Sequence, residues 1–341
     1  MHWNTLATAL ALSASGADAL LRFSCSQLVV ERLDPLVNPG MAPSPHLHQI
    51  VGGNAFNISM DPTTPPPSLA TCTTCTFAED FSNYWTAVLF FRAKNGSYHR
   101  VPQKPNVGFE AATGGMTIYY IPYVGNTKQT VTAFQPGFRM LVGQQGYRTK
   151  AEASKFRQLT YTCLKDPMTR SGETMDFPTA PCKAGIMTNV RFPTCWDGKN
   201  LDSPDHMSHV VYPTSGTFEN GGPCPATHPV KIPQLFYEVI WDTTKFNDKA
   251  LWPTTGQPFV WSQGDETGFG NHGDYVFGWK DNALQKAMDS NCADCPQLKS
   301  QTISTGNKCT RKEQVTESFD GWLEKMPGGV MAGMGNMKRK D

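Results

Sequence analysis

Trp85-Thr86-Ala87-Val88-Leu89-Phe90-Phe91, then Asn95-Gly96, then Ser97-Tyr98-His99-Arg100-Val101, is the stretch that decides the fold class. Its first part is rich in the aromatic and β-branched side chains that fit a pleated surface. Asn-Gly readily supplies the two left-handed positions of a type I′ turn, so the whole stretch reads as a β-hairpin. Working outward, residues 116–121, 138–142, 159–162, 209–212, 235–241 and 258–261 repeat that composition. Thirty Gly and 26 Pro separate these runs. The expectation is a mostly β chain, a β-sandwich or jelly-roll-like single domain with long loops and few short helices. The clearest helix is 282–290, with Asp281 or Asn282 as its N-cap.

Domain organisation follows from punctuation. The densest proline run, Pro62 to Ser68, is too short to separate independent domains. An apolar run from Leu6 to Ala14 is followed by Ala17-Asp18-Ala19, so residues 1–19 are expected to be a signal peptide, although no Lys or Arg precedes the run. One β-rich domain is expected over 20–325, and a disordered tail over 326–341, where apolar periodicity stops. No later stretch reaches the ~20 apolar residues that a membrane helix needs.

All ten cysteines follow position 19. In an exported chain disulfides are their default fate, so up to five bridges are expected, with the pairing open. Cys72-x-x-Cys75 and Cys292-x-x-Cys295 also fit two halves of a zinc site, the less favoured alternative. Asn57-Ile58-Ser59 and Asn95-Gly96-Ser97 are acceptor sequences for N-linked glycan. A net charge of +1, with one basic block at Lys338-Arg339-Lys340, argues against nucleic acid as a partner. The expected state is an exported monomer at the cell wall or outside the cell, without a membrane span.

Six of the eight histidines fall in polar motifs: His46 and His48, His206 and His209, His228, and His272. Imidazole serves proton transfer and metal binding near neutral pH, so these motifs are the first candidates for chemistry. On a strand His46 and His48 share a face. On a helix His206 and His209 share a side. Asp274 is placed to orient His272 as a base–orienter pair, or else to make an Asx-turn. Asp265 follows Gly264 as a further carboxylate. Glu238 interrupts an apolar strand and shares a face with Phe236 and Ile240, whereas Tyr237, Val239 and Trp241 line the other.

Several longer strings carry a resemblance: the run from Asn38 to Phe56 (including Pro45-His46-Leu47-His48-Gln49), Ser82-Asn83-Tyr84-Trp85-Thr86-Ala87, Pro136-Gly137-Phe138-Arg139-Met140, Cys195-Trp196-Asp197-Gly198, Asp205-His206-Met207-Ser208-His209 and Asn271-His272-Gly273-Asp274-Tyr275. They resemble DUF1996, a domain family of unknown function common in fungal secreted proteins. The resemblance covers roughly Leu20 to Cys309 and implies secretion and one domain; it implies no reaction.

The residues themselves suggest a polar site acting on extracellular or cell-wall polysaccharide. A hydrolase would pair Glu238 with Asp265 or Asp274 as acid and base or nucleophile. A lyase would use His and Tyr as base and acid, with Asn or Gln neutralising a substrate carboxylate. The catalytic candidates are therefore His46, His48, His206, His209, His272, Asp274, Glu238 and Asp265, and the substrate-binding candidates are Gln49, Asn54, Asn271 and Tyr275. No cofactor is required by either route. Two alternatives stand beside them: a non-catalytic cell-wall or carbohydrate-binding protein, and an internal His-ligated Zn or Cu site. The discriminator is whether these side chains converge.

Overall fold

A computed structural model describes residues 20–122, 130–170, 172–216, 222–290 and 295–333. The expected signal peptide, Cys292 and the end of the expected tail lie outside the described residues. The chain is built mostly of antiparallel strands, numbered here in chain order. A five-stranded sheet has the order β2 (Gln27–Glu31), β3 (His48–Gly52), β4 (Asn83–Ala87), β17 (His272–Val276), β9 (Arg139–Gly143). A six-stranded sheet runs β1 (Leu21–Cys25), β8 (Met116–Ile121), β15 (Gln234–Trp241), β11 (Ile186–Arg191), β10 (Leu159–Cys163), with β7 (Gln103–Lys104) also on β15. Two smaller sheets comprise β5 (Leu89–Arg92), β6 (Tyr98–Arg100), β16 (Phe259–Trp261) and β18 (Trp322–Leu323), and β12 (Cys195–Trp196), β13 (Val210–Val211) and β14 (Val230–Lys231).

The two large sheets face each other through alternating side chains. Tyr84 and Tyr275 of one meet Tyr120 and Tyr237 of the other. Tyr237, Val239 and Trp241 are buried in this core, on the face that alternation assigns to them. Each such fully buried large side chain stabilises the fold by roughly 2–3 kcal/mol. The core also holds a chain of hydroxyls from Asp80 through Tyr84 and Tyr120 to Tyr275, at 2.6, 2.9 and 2.9 Å. Buried hydroxyls need such partners, which explains why tyrosine rather than phenylalanine fills these positions.

The opening stretch is not one strand. The chain leaves the five-stranded sheet after Ala87, crosses at Val88, and enters another sheet at Leu89. Val88 is held by Leu47 O at 3.1 Å and Ser262 Oγ at 3.3 Å on its own N–H, and its carbonyl accepts from Ser262 N. Apolar residues continue through the crossing because both sides are buried. The hairpin itself is present, yet its turn differs from a type I′ turn. Only Gly96 has positive φ, at 88°, and the bonds Gly96 N to Ala93 O and Ala93 N to Ser97 O describe a longer turn closed by a glycine bulge.

Four disulfides are described: Cys25–Cys75, Cys72–Cys309, Cys163–Cys182 and Cys195–Cys224. Cys295 is also disulfide-bonded. The zinc alternative therefore fails, because Cys72 and Cys75 are both spent on bridges. The helix expected over 282–290 forms over Ala283–Ser290, burying Ala283, Leu284, Ala287 and Met288. Within the expected tail, Met326 is buried and pairs with Val330. Among the described residues, no helix is long and apolar enough to cross a membrane.

Candidate functional site

The outer face of the five-stranded sheet carries the candidate site. His48 pairs with Ala87 on β4, and the register Thr86 to Gly273 places Ala87 opposite His272. His48, Ala87 and His272 thus form one row across three strands, all on one face. Alanine in the middle leaves the space that the two imidazoles occupy. The next residue in the row is Gly143, with φ 85°; a Cβ there would stand 2.2 Å from Asn271 O. Any side chain at 143 would push the His272 strand away.

His46 reaches the same space from the loop that covers this face. Its neighbour Leu47 is fixed by carbonyl bonds from Val88 N at 3.1 Å and Ser262 Oγ at 2.6 Å. Ser44 Oγ donates to His46 O at 3.1 Å. Arg32 ties the loop down by pairing with Glu317 at 2.8 Å and donating to Ser44 O at 3.0 Å. Apolar side chains of the same cover, Leu33, Leu36 and Phe56, pack on Ile50, Trp85 and Val276 of the sheet. Glu31 accepts from Arg311 and from the backbone of Gln314 and Val315, which holds a second piece of the cover.

The three imidazoles converge. His46 Nε2 lies 3.2 Å from His272 Nε2, and one ring nitrogen from each of His46, His48 and His272 falls within 4.8 Å of the others. Their exposures are 2%, 1% and 4%. Two of the rings are oriented by backbone carbonyls: His48 Nδ1 donates to Leu33 O at 2.9 Å, and His272 Nδ1 to Gly270 O at 3.0 Å. A carbonyl only accepts, so in the neutral ring Nδ1 carries the proton and Nε2 keeps its lone pair. His48 Nε2 and His46 Nδ1 are buried without a hydrogen-bond partner among the described residues.

Burial keeps these rings uncharged. It lowers His48 and His272 to about 4, with the carbonyl bonds partly opposing, and holds His46 well below the usual range, with its two histidine neighbours adding to the effect. His48 and His272 present Nε2 lone pairs to one space, and His46, whose Nε2 is the donor to His272 Nε2, would complete a donor set for a metal ion by moving its proton to Nδ1; the carbonyl bonds on His48 and His272 are the outer contacts that fix such ligands. A tetrahedral ion with metal–nitrogen bonds of about 2.0–2.1 Å needs nitrogens about 3.3 Å apart. The closest pair already has that separation.

Two carboxyl groups lie near the rings. Asp274 is two positions from His272 on the same strand face, fully buried, with neither oxygen partnered among the described residues. Burial, and secondarily the charge of Asp34, raises its pKa well above the usual carboxylate range. Asp34 is itself raised by burial, against bonds from Leu36 N at 3.2 Å and Val37 N at 3.0 Å, and His272 and His206 lie within electrostatic reach of it. Sequence reasoning missed Asp34. An Asp before Pro35 is a turn signal, and its Asx bonds fulfil that role, but nothing local announces its proximity to His272.

The remaining candidates divide: Asp265 lies within electrostatic reach of His272 and His206 within reach of Asp34, without joining the three rings, and most of the others lie elsewhere. Asp274 does not orient His272, because Gly270 O occupies His272 Nδ1. His206 and His209 lie outside any helix; His206 has φ 56° and bonds to Asp202 at 2.7 Å, and His209 Nδ1 lies 2.8 Å from Ser203 Oγ. Asp265 is fully buried and accepts from Thr267, Gly268 and Gly270, so it organises its own loop. Glu238 sits on the outer face of the other sheet, taking Asn106 Nδ2 and Tyr119 OH on one oxygen, both at 2.6 Å. Gln49 and Tyr275 belong to the opposite face from the histidines, between the sheets. Asn54 braces Thr71 and Cys72 at the surface. Asn271 stays close to the site, lining a small crevice beside Gly143 and Gln144.

Residues 34–279 match the family model described as "Domain of unknown function (DUF1996)". No curated protein and no solved structure matches the chain.

Proposed function

Because the chain belongs to the DUF1996 family, a domain of unknown function, its chemistry has to come from its own residues, and we propose that it is an exported domain built around a three-histidine transition-metal centre. The disulfides and the lack of a membrane-crossing helix among the described residues are consistent with a secreted protein. The observation that carries the proposal is the convergence of His46, His48 and His272, joined from positions 226 residues apart, with orphaned buried ring nitrogens. The orphaned buried His48 Nε2 costs about 1–3 kcal/mol, and an ion bound there would remove that cost. Imidazole donors suit Zn²⁺ or Cu²⁺. Three protein ligands leave a fourth position, and Asp34 is near enough to the rings to influence it electrostatically.

Lyase or hydrolase action on polysaccharide has weaker support. A polymer needs an open groove over its acid and base, whereas these three rings are nearly inaccessible and Glu238, Asp265 and Asp274 belong to separate settings. The test is metal content and calorimetric titration of the purified protein with Zn²⁺ and with Cu²⁺. One ion per chain is expected, with binding lost in His48→Ala and His272→Ala and kept in His206→Ala. Equal binding by all four proteins would overturn the proposal.

A further inference from the structure

The turn between β5 and β6 carries the acceptor sequence Asn95-Gly96-Ser97 at an exposed tip. Asn95 Oδ1 accepts from Ser97 N at 3.1 Å and Ser97 Oγ at 2.7 Å. These bonds hold the serine hydroxyl against the carboxamide and leave Nδ2 on the exposed side. Space is available, since a Cβ on Gly96 would meet nothing within 4 Å. The other acceptor sequence is built differently. Asn57 Oδ1 is engaged by its neighbour Ile58 N and by Gln314 Nε2, 257 residues away, so its side chain helps fasten the cover.

Beside Asn95 lies a surface groove of about 420 Å³, lined by Ala93, Asn95, Ser97, Ala250, Leu251 and Trp322. Trp322 is 53% exposed. Its indole is not loose: β18 pairs Trp322 with His99, and the ring packs edge-on against His99 at 5.1 Å and Phe91 at 6.4 Å. A braced, exposed indole presents one flat apolar face, the surface on which the C–H face of a pyranose stacks. Asn95 and Trp322 line one groove, so a sugar on Nδ2 starts at its mouth.

We propose that Asn95 carries an N-linked glycan and that its first N-acetylglucosamine residues lie in this groove against Trp322. Attachment forms the Nδ2–C1 bond, breaks the C1–O bond to the lipid diphosphate of the oligosaccharide donor, and releases one Nδ2 proton. The glycan then covers exposed apolar surface that would otherwise face water, while its hydroxyls point outward.

The test is secretion of the full chain from a eukaryotic host with ¹³C-labelled glycan, followed by glycopeptide mass spectrometry and NMR. The expected result is occupancy at Asn95, absent in Ser97→Ala, with N-acetylglucosamine resonances shifted upfield by the indole ring current. That shift disappears in Trp322→Ala, while occupancy stays; Trp322→Leu, which keeps apolar bulk without the aromatic ring, serves if the alanine variant does not fold. An unoccupied Asn95, or an occupied one with no Trp322-dependent shift, overturns the proposal. A concentration-dependent dimer lost in Trp322→Ala would assign the groove to a second copy, which also overturns it.

Discussion

The outer faces of the two large sheets both bury polar side chains, and they differ in where orphaned atoms collect: beside Glu238 only Asn189 Oδ1 among its cross-strand neighbours is unpartnered among the described residues, whereas around the histidines such atoms cluster. On the six-stranded sheet, Glu238 is bonded by Asn106 and Tyr119; Arg22 Nε donates to Tyr119 OH at 3.0 Å and Arg170 Nη2 to Asn106 Oδ1 at 2.6 Å. Arg191 pairs with Glu173 at 2.9 Å and lies over Phe236. On the five-stranded sheet, His46, His48 and Asp274 are more deeply buried and retain unpartnered polar atoms. Matched networks are what burial requires of a fold. Unmatched groups clustered around one space suggest an absent partner. On the proposed reading Glu238 is structural and the histidine row functional, although both looked chemically equivalent in the sequence.

The sharpest way to break the comparison is to loosen each face through its own disulfide. Cys72–Cys309 spans 237 residues and fastens the cover of the histidine face, whereas Cys163–Cys182, at the end of β10, spans 19. Loop-closure entropy predicts losses of about 5 and about 3 kcal/mol for the paired serine variants, read from urea midpoints. The first variant should also lose metal binding; the second should keep it. Next in size is the metal itself. At a free ion concentration one hundred times Kd, the wild-type protein should gain about 2.7 kcal/mol over the chelator-treated form, and His272→Ala should gain nothing.

A buried acid between the faces gives a pH prediction. Burial pushes Asp80 up to about 7, against bonds from Tyr84 and Ser82. In an unfolded chain the same group titrates near ~3.9. The folded protein therefore holds a proton that the unfolded chain releases. Stability from this group is fully present below the unfolded value and falls, on the order of a few kcal/mol, as pH rises to about 7. Asp80→Asn should flatten that part of the curve relative to wild type in denaturation between pH 4 and pH 8. The smallest expected effect is Glu238→Gln, which weakens charge-assisted bonds by about 1–2 kcal/mol and leaves metal stoichiometry unchanged. Metal loss in that variant would erase the distinction between the faces.

Much of the fold was legible because side-chain alternation is a local signal. Tyr237, Val239 and Trp241 against Glu238 declared their faces directly. The crossing at Val88 was not legible, since a strand that changes sheets while remaining buried looks like one longer strand. His46 and His48 have ring centroids 4.2 Å apart, but His46 comes from the loop before β3 and not from a shared strand face, so alternation pointed to the neighbour without the geometry. Their union with His272 depended on the order of five strands, which no local pattern encodes. The orienting groups escaped entirely, because Leu33 and Gly270 act through backbone carbonyls that every residue possesses. His206 and His209 misled for the converse reason: their spacing suits a helix, but Asp202, Ser203 and Asp205 bind the local turn instead.

The most direct test of the three-histidine centre is anomalous diffraction from crystals soaked with Zn²⁺ or Cu²⁺, collected at the metal edge. A single peak about 2.0–2.1 Å from the Nε2 atoms of His46, His48 and His272 is the predicted result. Well-ordered, metal-soaked crystals with no peak in that space, or with the ion held only by surface residues, would contradict it.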